Sequence, residues 1–188
     1  MARYVSFALI IAFSILAGCI SFPQMSSSGK PGKYYENFFV GDGVNQYFVK
    51  PLLYKREKQK IKLDFTFRDT SFGHQRVLTN CSFYTSSRNL KVTHLGVRTD
   101  DSIYFKTASH IVIRKEKKQW EYRYTADFKY PAFRLLIGHE SCKPVLLTQS
   151  KGQMTADTLV FKPTRKTQRA TGQLDREDLP LIRMNAKQ

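Results

Sequence analysis

The sequence has few acidic residues and none of the common hydrolase motifs. Asp and Glu total 15 against 31 Lys and Arg, which gives a formal net charge of +16 at pH 7. Neither G-x-S-x-G nor H-E-x-x-H occurs. The sequence also lacks C-x-x-C and H-x-x-x-H, so no metal site of ordinary ligand spacing is present. We therefore predict no catalytic residues, no metal and no cofactor.

The sequence also lacks an apolar run long enough to span a membrane. Its longest run, Val5 to Leu16, is interrupted only by Ser6 and Ser14. A signal peptide needs roughly 7–15 apolar residues after a short basic segment, here Met1 to Tyr4 with Arg3. A spanning helix needs about 20. The run therefore predicts an export signal, with an uncleaved helical anchor as the alternative.

The end of this run and the three residues after it form a recognisable motif. Leu16-Ala17-Gly18-Cys19 resembles the lipobox of bacterial lipoproteins. The resemblance implies that residues 1–18 are cleaved off as a signal peptide and that the Cys19 thiol carries a diacylglyceryl group. Ile20, where some enteric lipoproteins have Asp, implies sorting to the outer membrane. The expected location is thus the bacterial cell envelope.

Residues 19–33 form the predicted lipidated tether. They are rich in Ser, Gly and Pro and show no periodicity, which is typical of a flexible linker. Such a segment has an end-to-end distance of about 20 Å and an extended limit near ~50 Å. The folded domain is therefore expected to stay close to its membrane.

The chain has three cysteines, and lipidation of Cys19 would leave two. In an oxidising compartment Cys81 and Cys142 are then expected to form a disulfide. Two separate buried thiols are the alternative, and a metal site that adds His139 is a more remote one.

Residues 34–162 show the period-two alternation of β-strands. The clearest case is 60–68, where Ile61, Leu63, Phe65 and Phe67 alternate with polar residues. The predicted strands are 34–40, 46–54, 60–68, 76–84, 90–98, 102–107, 109–114, 119–125, 133–137, 145–149 and 158–162. Short strands at about ten-residue spacing predict a single all-β domain, an antiparallel β-sandwich or a small barrel.

Residues 163–188 are polar, basic and poor in large apolar side chains. This composition predicts a mostly disordered tail. The short apolar patch from Leu179 to Ile182 is its one candidate docking segment.

Two short motifs are weak candidates for chemistry. Residues 138–142, Gly-His-Glu-Ser-Cys, place a base, an acid and two nucleophiles together, but alternate residues of an extended segment face opposite ways. Residues 41–43, Gly-Asp-Gly, are too short for a phosphate-binding loop. We expect a strand end and a turn.

The basic tips of two predicted hairpins are the candidate binding site. They hold cations on both turns and an aromatic strand face beside the second: Lys55, Arg56, Lys58, Lys60, Lys115, Lys117, Lys118, Trp120, Tyr122 and Tyr124. Cations attract anionic surfaces, and aromatic rings stack on sugars or lie at headgroup interfaces. Ordinary solvated turns and a core-facing aromatic row are the alternative interpretation.

These observations predict a lipid-anchored envelope protein with a non-catalytic binding or assembly role. Its partners would be the membrane, through the lipid anchor, and an anionic lipid, cell-wall glycan or other envelope protein. Export argues against nucleic acid. The alternatives are a lipid-anchored hydrolase of envelope polymers and a surface adhesin for polyanions.

Overall fold

The computed structural model describes residues 32–41, 44–68, 76–150 and 155–180. The predicted signal peptide, Cys19 and the tether up to residue 31 lie outside the described residues. Two antiparallel sheets, of seven and four strands, confirm the predicted all-β sandwich. Within the described ranges, no helix has the length and apolar character required to cross a membrane.

The seven-stranded sheet, called the large sheet, has the order β1-β2-β3-β4-β8-β7, and β11 pairs with part of β2. Its strands are β1 Tyr35–Gly41, β2 Val44–Arg56, β3 Gln59–Arg68, β4 Arg76–Thr85, β7 Ser109–Glu116, β8 Gln119–Lys129 and β11 Lys162–Pro163. The small sheet has the order β10-β9-β5-β6. Its strands are β5 Leu90–Arg98, β6 Ile103–Thr107, β9 Lys143–Ser150 and β10 Ala156–Val160.

The core lies between the two sheets and follows from the alternation along each strand. On β3, Ile61, Leu63 and Phe65 are at most 1% exposed, while the residues between them face outward. Leu95 and Leu146 of the small sheet belong to the same buried cluster. Successive side chains of a strand point to opposite faces, so one face of the large sheet packs and the other faces solvent.

The predicted strand 133–137 is wrong, because these residues belong to helix α1, Tyr130–Gly138. Phe133, Leu136 and Ile137 are buried at the i, i+3, i+4 spacing of an amphipathic helix. Pro131 stands in the first turn, where its missing N–H costs no helical hydrogen bond. The Phe133 ring lies 5.0 Å from the Phe65 ring, which fixes α1 on the core. A short apolar run fits a helix or a strand equally well, and packing decided between them.

The predicted disordered tail is also wrong over residues 163–180. This segment forms β11, helix α2 Arg165–Gln173 and a π-helical turn Leu174–Asp178. Thr164 caps α2 by accepting a hydrogen bond from the Thr167 N–H at 3.2 Å. Leu174 and Leu179 are at most 1% exposed. Residues 181–188, which include part of the predicted apolar patch, lie outside the described residues.

The predicted disulfide is not formed, and Cys81 and Cys142 are separate buried thiols. Cys81 lies in the middle of β4, between Leu63 of β3 and Tyr124 of β8. Cys142 follows α1, where its N–H donates to the His139 carbonyl at 3.1 Å. Burial raises the pKa of both thiols, so each is stabilised in its protonated form. An even number of remaining cysteines therefore does not imply a disulfide in this protein.

Candidate functional site: a lysine-lined cleft

The two predicted basic tips emerge from the same end of the large sheet. The β2–β3 turn closes at the pair Arg56–Gln59, and the β7–β8 turn closes at the pair Glu116–Gln119. The antiparallel pairings of β3 with β4 and of β4 with β8 bring both turns to one end. Neighbouring strands lie about 4.8 Å apart, so the two tips are separated by roughly 15 Å.

A polar row crosses the solvent face of the sheet just behind these tips. Its members pair in register across five strands: Lys55, Lys60, Tyr84, Glu121 and Arg114. The Tyr84 hydroxyl donates to Glu121 Oε1 at 3.0 Å, and Arg114 Nε donates to Glu121 Oε2 at 2.5 Å. Burial of the Glu121 carboxyl opposes its ionisation, but the hydrogen bonds from Arg114, Ser82 and Tyr84 outweigh it and lower its pKa. The Arg114 charge is therefore compensated within the sheet.

The β2–β3 half of this row keeps its positive charge. Lys60 Nζ lies 4.5 Å from the centre of the Tyr84 ring, and Lys62 Nζ lies 5.3 Å from it. An aromatic face attracts a cation without neutralising it. Of the predicted tip residues, Arg56 donates to Gln59 Oε1 at 3.3 Å, and Lys58 is exposed in the turn.

The predicted aromatic face beside the second tip is wrong as a binding surface. Tyr122 and Tyr124 are at most 3% exposed and belong to the core. The Tyr122 hydroxyl donates to the Ser87 carbonyl at 3.1 Å, and the Tyr124 hydroxyl accepts from the Val92 N–H at 3.3 Å. The alternation along β8 does place both rings on one face of the sheet, but this face packs against the core.

The remaining residues of the second tip stay near the surface. Trp120 is half-buried, with the Arg88 guanidinium 4.9 Å from its ring centre. Lys115, Lys117 and Lys118 are exposed at the strand end. They form a charged turn, and none of them lines a cavity described below.

The larger cavity lies where the edge of β2 passes from one partner strand to another. β1 pairs with β2 as far as Val49, and β11 pairs with it at Tyr54 and Lys55. Between these stretches Pro51 has no N–H to offer a neighbouring strand. The Lys50 N–H instead donates to the Tyr34 carbonyl at 2.8 Å. The opened edge leaves a cleft of about 760 Å³ between the start of β1 and helix α2.

We call this cavity the lysine cleft, after the five lysines that line it: Lys33, Lys50, Lys55, Lys62 and Lys166. Its apolar wall is formed by Tyr34, Pro51, Leu52, Leu53 and Ala170. Among the described residues lining it, none is acidic. Lys50 Nζ lies 3.6 Å from Glu36 Oε1, but both side chains are about half exposed, and such pairs contribute little. Lysines gathered in a cleft focus positive potential at its mouth.

Only two lysines of this cleft belong to the region that the sequence pattern indicated. Lys55 is a predicted site residue, and Lys62 lies on the predicted strand 60–68. Lys33 falls in the predicted tether and Lys166 in the predicted tail, and no sequence motif marks Lys50 as a binding residue. The five lysines come together because the tail folds onto the edge of β2. No local sequence pattern predicts that contact.

A smaller cavity of about 120 Å³ lies between the ends of α1 and α2. It gathers His139, Glu140 and Cys142 with Asp175 and Tyr54, so the 138–142 motif does border a cavity. Burial raises the pKa of the Cys142 thiol, whereas a nucleophilic cysteine needs a lowered one. Nor does any group of three or more His, Cys, Asp or Glu in the described ranges fit a metal ion. In the other weak motif, Gly41 ends β1 at φ 102°, and residues 42–43 lie outside the described ranges.

No protein-family model, curated protein or solved structure matches this chain. By its fold and site, the protein is an all-β sandwich with a cationic, partly apolar cleft at one sheet edge.

Proposed function

We propose that this protein is a lipid-anchored component of the bacterial cell envelope that binds an anionic envelope ligand in the lysine cleft, without catalysis. The observation that carries the proposal is the cleft itself, where five lysines converge and none of the described lining residues is acidic. Each cation near an anionic surface adds about 1 kcal/mol to binding. Five ammonium groups in one cleft can therefore supply useful affinity.

The position of the cleft along the chain supports a ligand at the membrane. Lys33, the last residue of the predicted tether 19–33, and Tyr34, the residue after it, both line the cleft. If Cys19 carries lipid, the cleft lies within the tether's extended reach of about 50 Å from the bilayer. A short leash raises the effective concentration of membrane components at the cleft.

The binding proposal is tested with the mature chain carrying Cys19→Ser, which removes the anchor and leaves the cleft. Co-sedimentation with phosphatidylglycerol vesicles should exceed that with neutral phosphatidylcholine vesicles and should fall as salt rises. The double variant Lys55→Gln/Lys62→Gln should weaken binding about tenfold or more, at roughly 1 kcal/mol per lysine.

The matched control is Lys117→Gln/Lys118→Gln, which removes the same charge from the other hairpin tip. It should weaken binding clearly less than the cleft variant. Equal losses in the two variants would mean that net charge, rather than the cleft, binds the anion. Heparin binding with no vesicle binding would favour the adhesin alternative.

The anchor is tested by the intact mass of protein extracted from its native membrane. We expect the mass of residues 19–188 plus acyl groups. A mass equal to the full unlipidated chain would contradict the anchor, and the basic charge would then need a cytosolic partner such as nucleic acid.

A further inference from the structure

We propose that the ligand of the lysine cleft is an amphiphile that carries two phosphate groups beside an acyl chain. This inference rests on the anion-binding function proposed above and specifies the chemical class of the ligand. Three features of the cleft support it: the spacing of its cations, the apolar surface between them and the polarity of helix α2.

The cations of the cleft fall into two groups. Lys33 and Lys50 lie at the β1 end, whereas Lys55, Lys62 and Lys166 lie at the β11 end. Lys50 and Lys55 are five positions apart on β2, which is at most about 16 Å of strand at 3.3 Å per residue, because the register of β2 shifts between Val49 and Leu52. A single phosphate carries about 1.5 to 2 negative charges, against five lysines in the cleft. Two phosphates, one at each end, therefore match the arrangement.

The residue type favours phosphate over carboxylate. Among the described residues that line the cleft, five are lysines and none is an arginine. Arginine presents a planar fork that suits two-point recognition of carboxylates, whereas lysine acts as a compact point charge and is a common phosphate ligand.

Within the described part of the chain, the cations at the β11 end make no ion pair. Lys62 lies opposite Leu53 while Lys55 lies opposite Lys60, so Lys55 and Lys62 are diagonal neighbours about 7–8 Å apart. Helix α2 begins with Arg165 and Lys166 and has no acidic residue in its first turn. Anions, not cations, stabilise a helix N-terminus. A bound phosphate would offset both unfavourable arrangements.

The surface between the two cation groups is apolar. Pro51, Leu53 and Tyr34 give the cleft its accessible apolar surface, whereas Leu52 and Ala170, which also line it, are buried in the core. A purely polar anion would gain nothing from this wall, whereas each buried CH₂ of an acyl chain contributes about 0.8 kcal/mol. The volume of about 760 Å³ lies within the usual range of ligand pockets.

The test compares two lipids that differ in one phosphate. The Cys19→Ser mature chain is titrated with neutral vesicles that contain either diphosphoryl or monophosphoryl lipid A, and with inorganic pyrophosphate. We expect diphosphoryl lipid A to bind at least tenfold tighter than the monophosphoryl form, and pyrophosphate to bind weakest.

Substitutions at one end of the cleft should remove this preference. Lys33→Gln/Lys50→Gln should bring the affinity for diphosphoryl lipid A down to that for the monophosphoryl form. Lys117→Gln/Lys118→Gln is the charge-matched control and should keep the preference. Unchanged circular dichroism and melting temperature show that each variant is folded, and diphosphoryl lipid A should raise the melting temperature of the parent protein.

Equal affinity for the two lipids would overturn the two-phosphate inference. Equal affinity for pyrophosphate and diphosphoryl lipid A would overturn the acyl contact. In both cases the proposed anion-binding function stands if the Lys55→Gln/Lys62→Gln variant still weakens binding to phosphatidylglycerol. If that variant binds every anion as the parent does, the cleft function falls as well.

Discussion

The Thr167 hydroxyl on α2 makes two hydrogen bonds to the backbone of Leu53, a residue 114 positions earlier in the chain. It donates to the Leu53 carbonyl at 2.6 Å and accepts from the Leu53 N–H at 3.1 Å. The same carbonyl also accepts from the Thr164 N–H at 3.3 Å. This side chain thus provides hydrogen-bond partners for the β2 edge between the stretches that pair with β1 and with β11, and it holds α2 against the lysine cleft.

Replacing this hydroxyl should destabilise the protein. Thr167→Val keeps the side-chain shape but leaves the Leu53 N–H without an acceptor. Losing a partner for a buried polar group costs about 1–3 kcal/mol, and we expect a loss of this size in urea unfolding. Thr171→Val removes only a bond to the Gln168 carbonyl within α2, and should change the free energy of unfolding by less than about 0.5 kcal/mol. If Thr167→Val left the free energy of unfolding unchanged, the packing of α2 would not depend on this contact.

The ordered segment after β11 should contribute to the stability of the whole domain. Leu174 is 1% exposed, and Leu174→Ala should reduce the free energy of unfolding by about 2–5 kcal/mol through lost burial and the cavity left behind. Leu78→Ala is the control, because Leu78 is 43% exposed on β4. The two variants are compared by thermal and urea unfolding. Equal, small effects would show that residues 163–180 are not packed as described.

Glu121 should make stability depend on acid. Its folded pKa lies below its ordinary value, so its contribution is present above the unfolded pKa, about 4.3, and is lost as pH falls through the folded pKa. Glu121→Gln should therefore cost about 1–3 kcal/mol at pH 7 and much less at pH 3. The free energy of unfolding is measured against pH for Glu121→Gln and for the exposed Glu116→Gln. The comparison distinguishes the loss of the Glu121 hydrogen bonds from the loss of one negative charge. Parallel curves for Glu121→Gln and the parent would contradict it.

The two core cysteines should be free but slow to react. Burial raises the pKa of both, and the thiolate is the reactive form. Under native conditions iodoacetamide should label Cys142, which borders the smaller cavity, faster than Cys81, which is fully buried. In denaturant both should react quickly without reductant. Recovery of a linked Cys81–Cys142 peptide from non-reduced protein would contradict the structure.

The strands were the most predictable part of this protein. Alternation such as that of Ile61, Leu63 and Phe65 is a local property, because the polarity of each side chain indicates which face of the sheet it lies on. The hairpin turns at residues 57–58 and 117–118 could also be predicted from the sequence, because each is a short charged segment between two alternating strands. The errors fall on segments whose structure depends on distant contacts. Phe133 to Ile137 became helical because its i, i+3, i+4 positions fit the core beneath it.

The sequence by itself determined the all-β class, the excess of positive charge and the positions of the two basic hairpin tips. Composition and period two carry that information residue by residue. Only the tertiary structure decided that Tyr122 and Tyr124 face the core and that Cys81 and Cys142 stay apart. It also decided that Lys33, Lys50 and Lys166 join Lys55 and Lys62 in one cleft. These are relations between residues far apart in the chain, fixed by which surfaces bury each other and by where the β2 edge changes its partner.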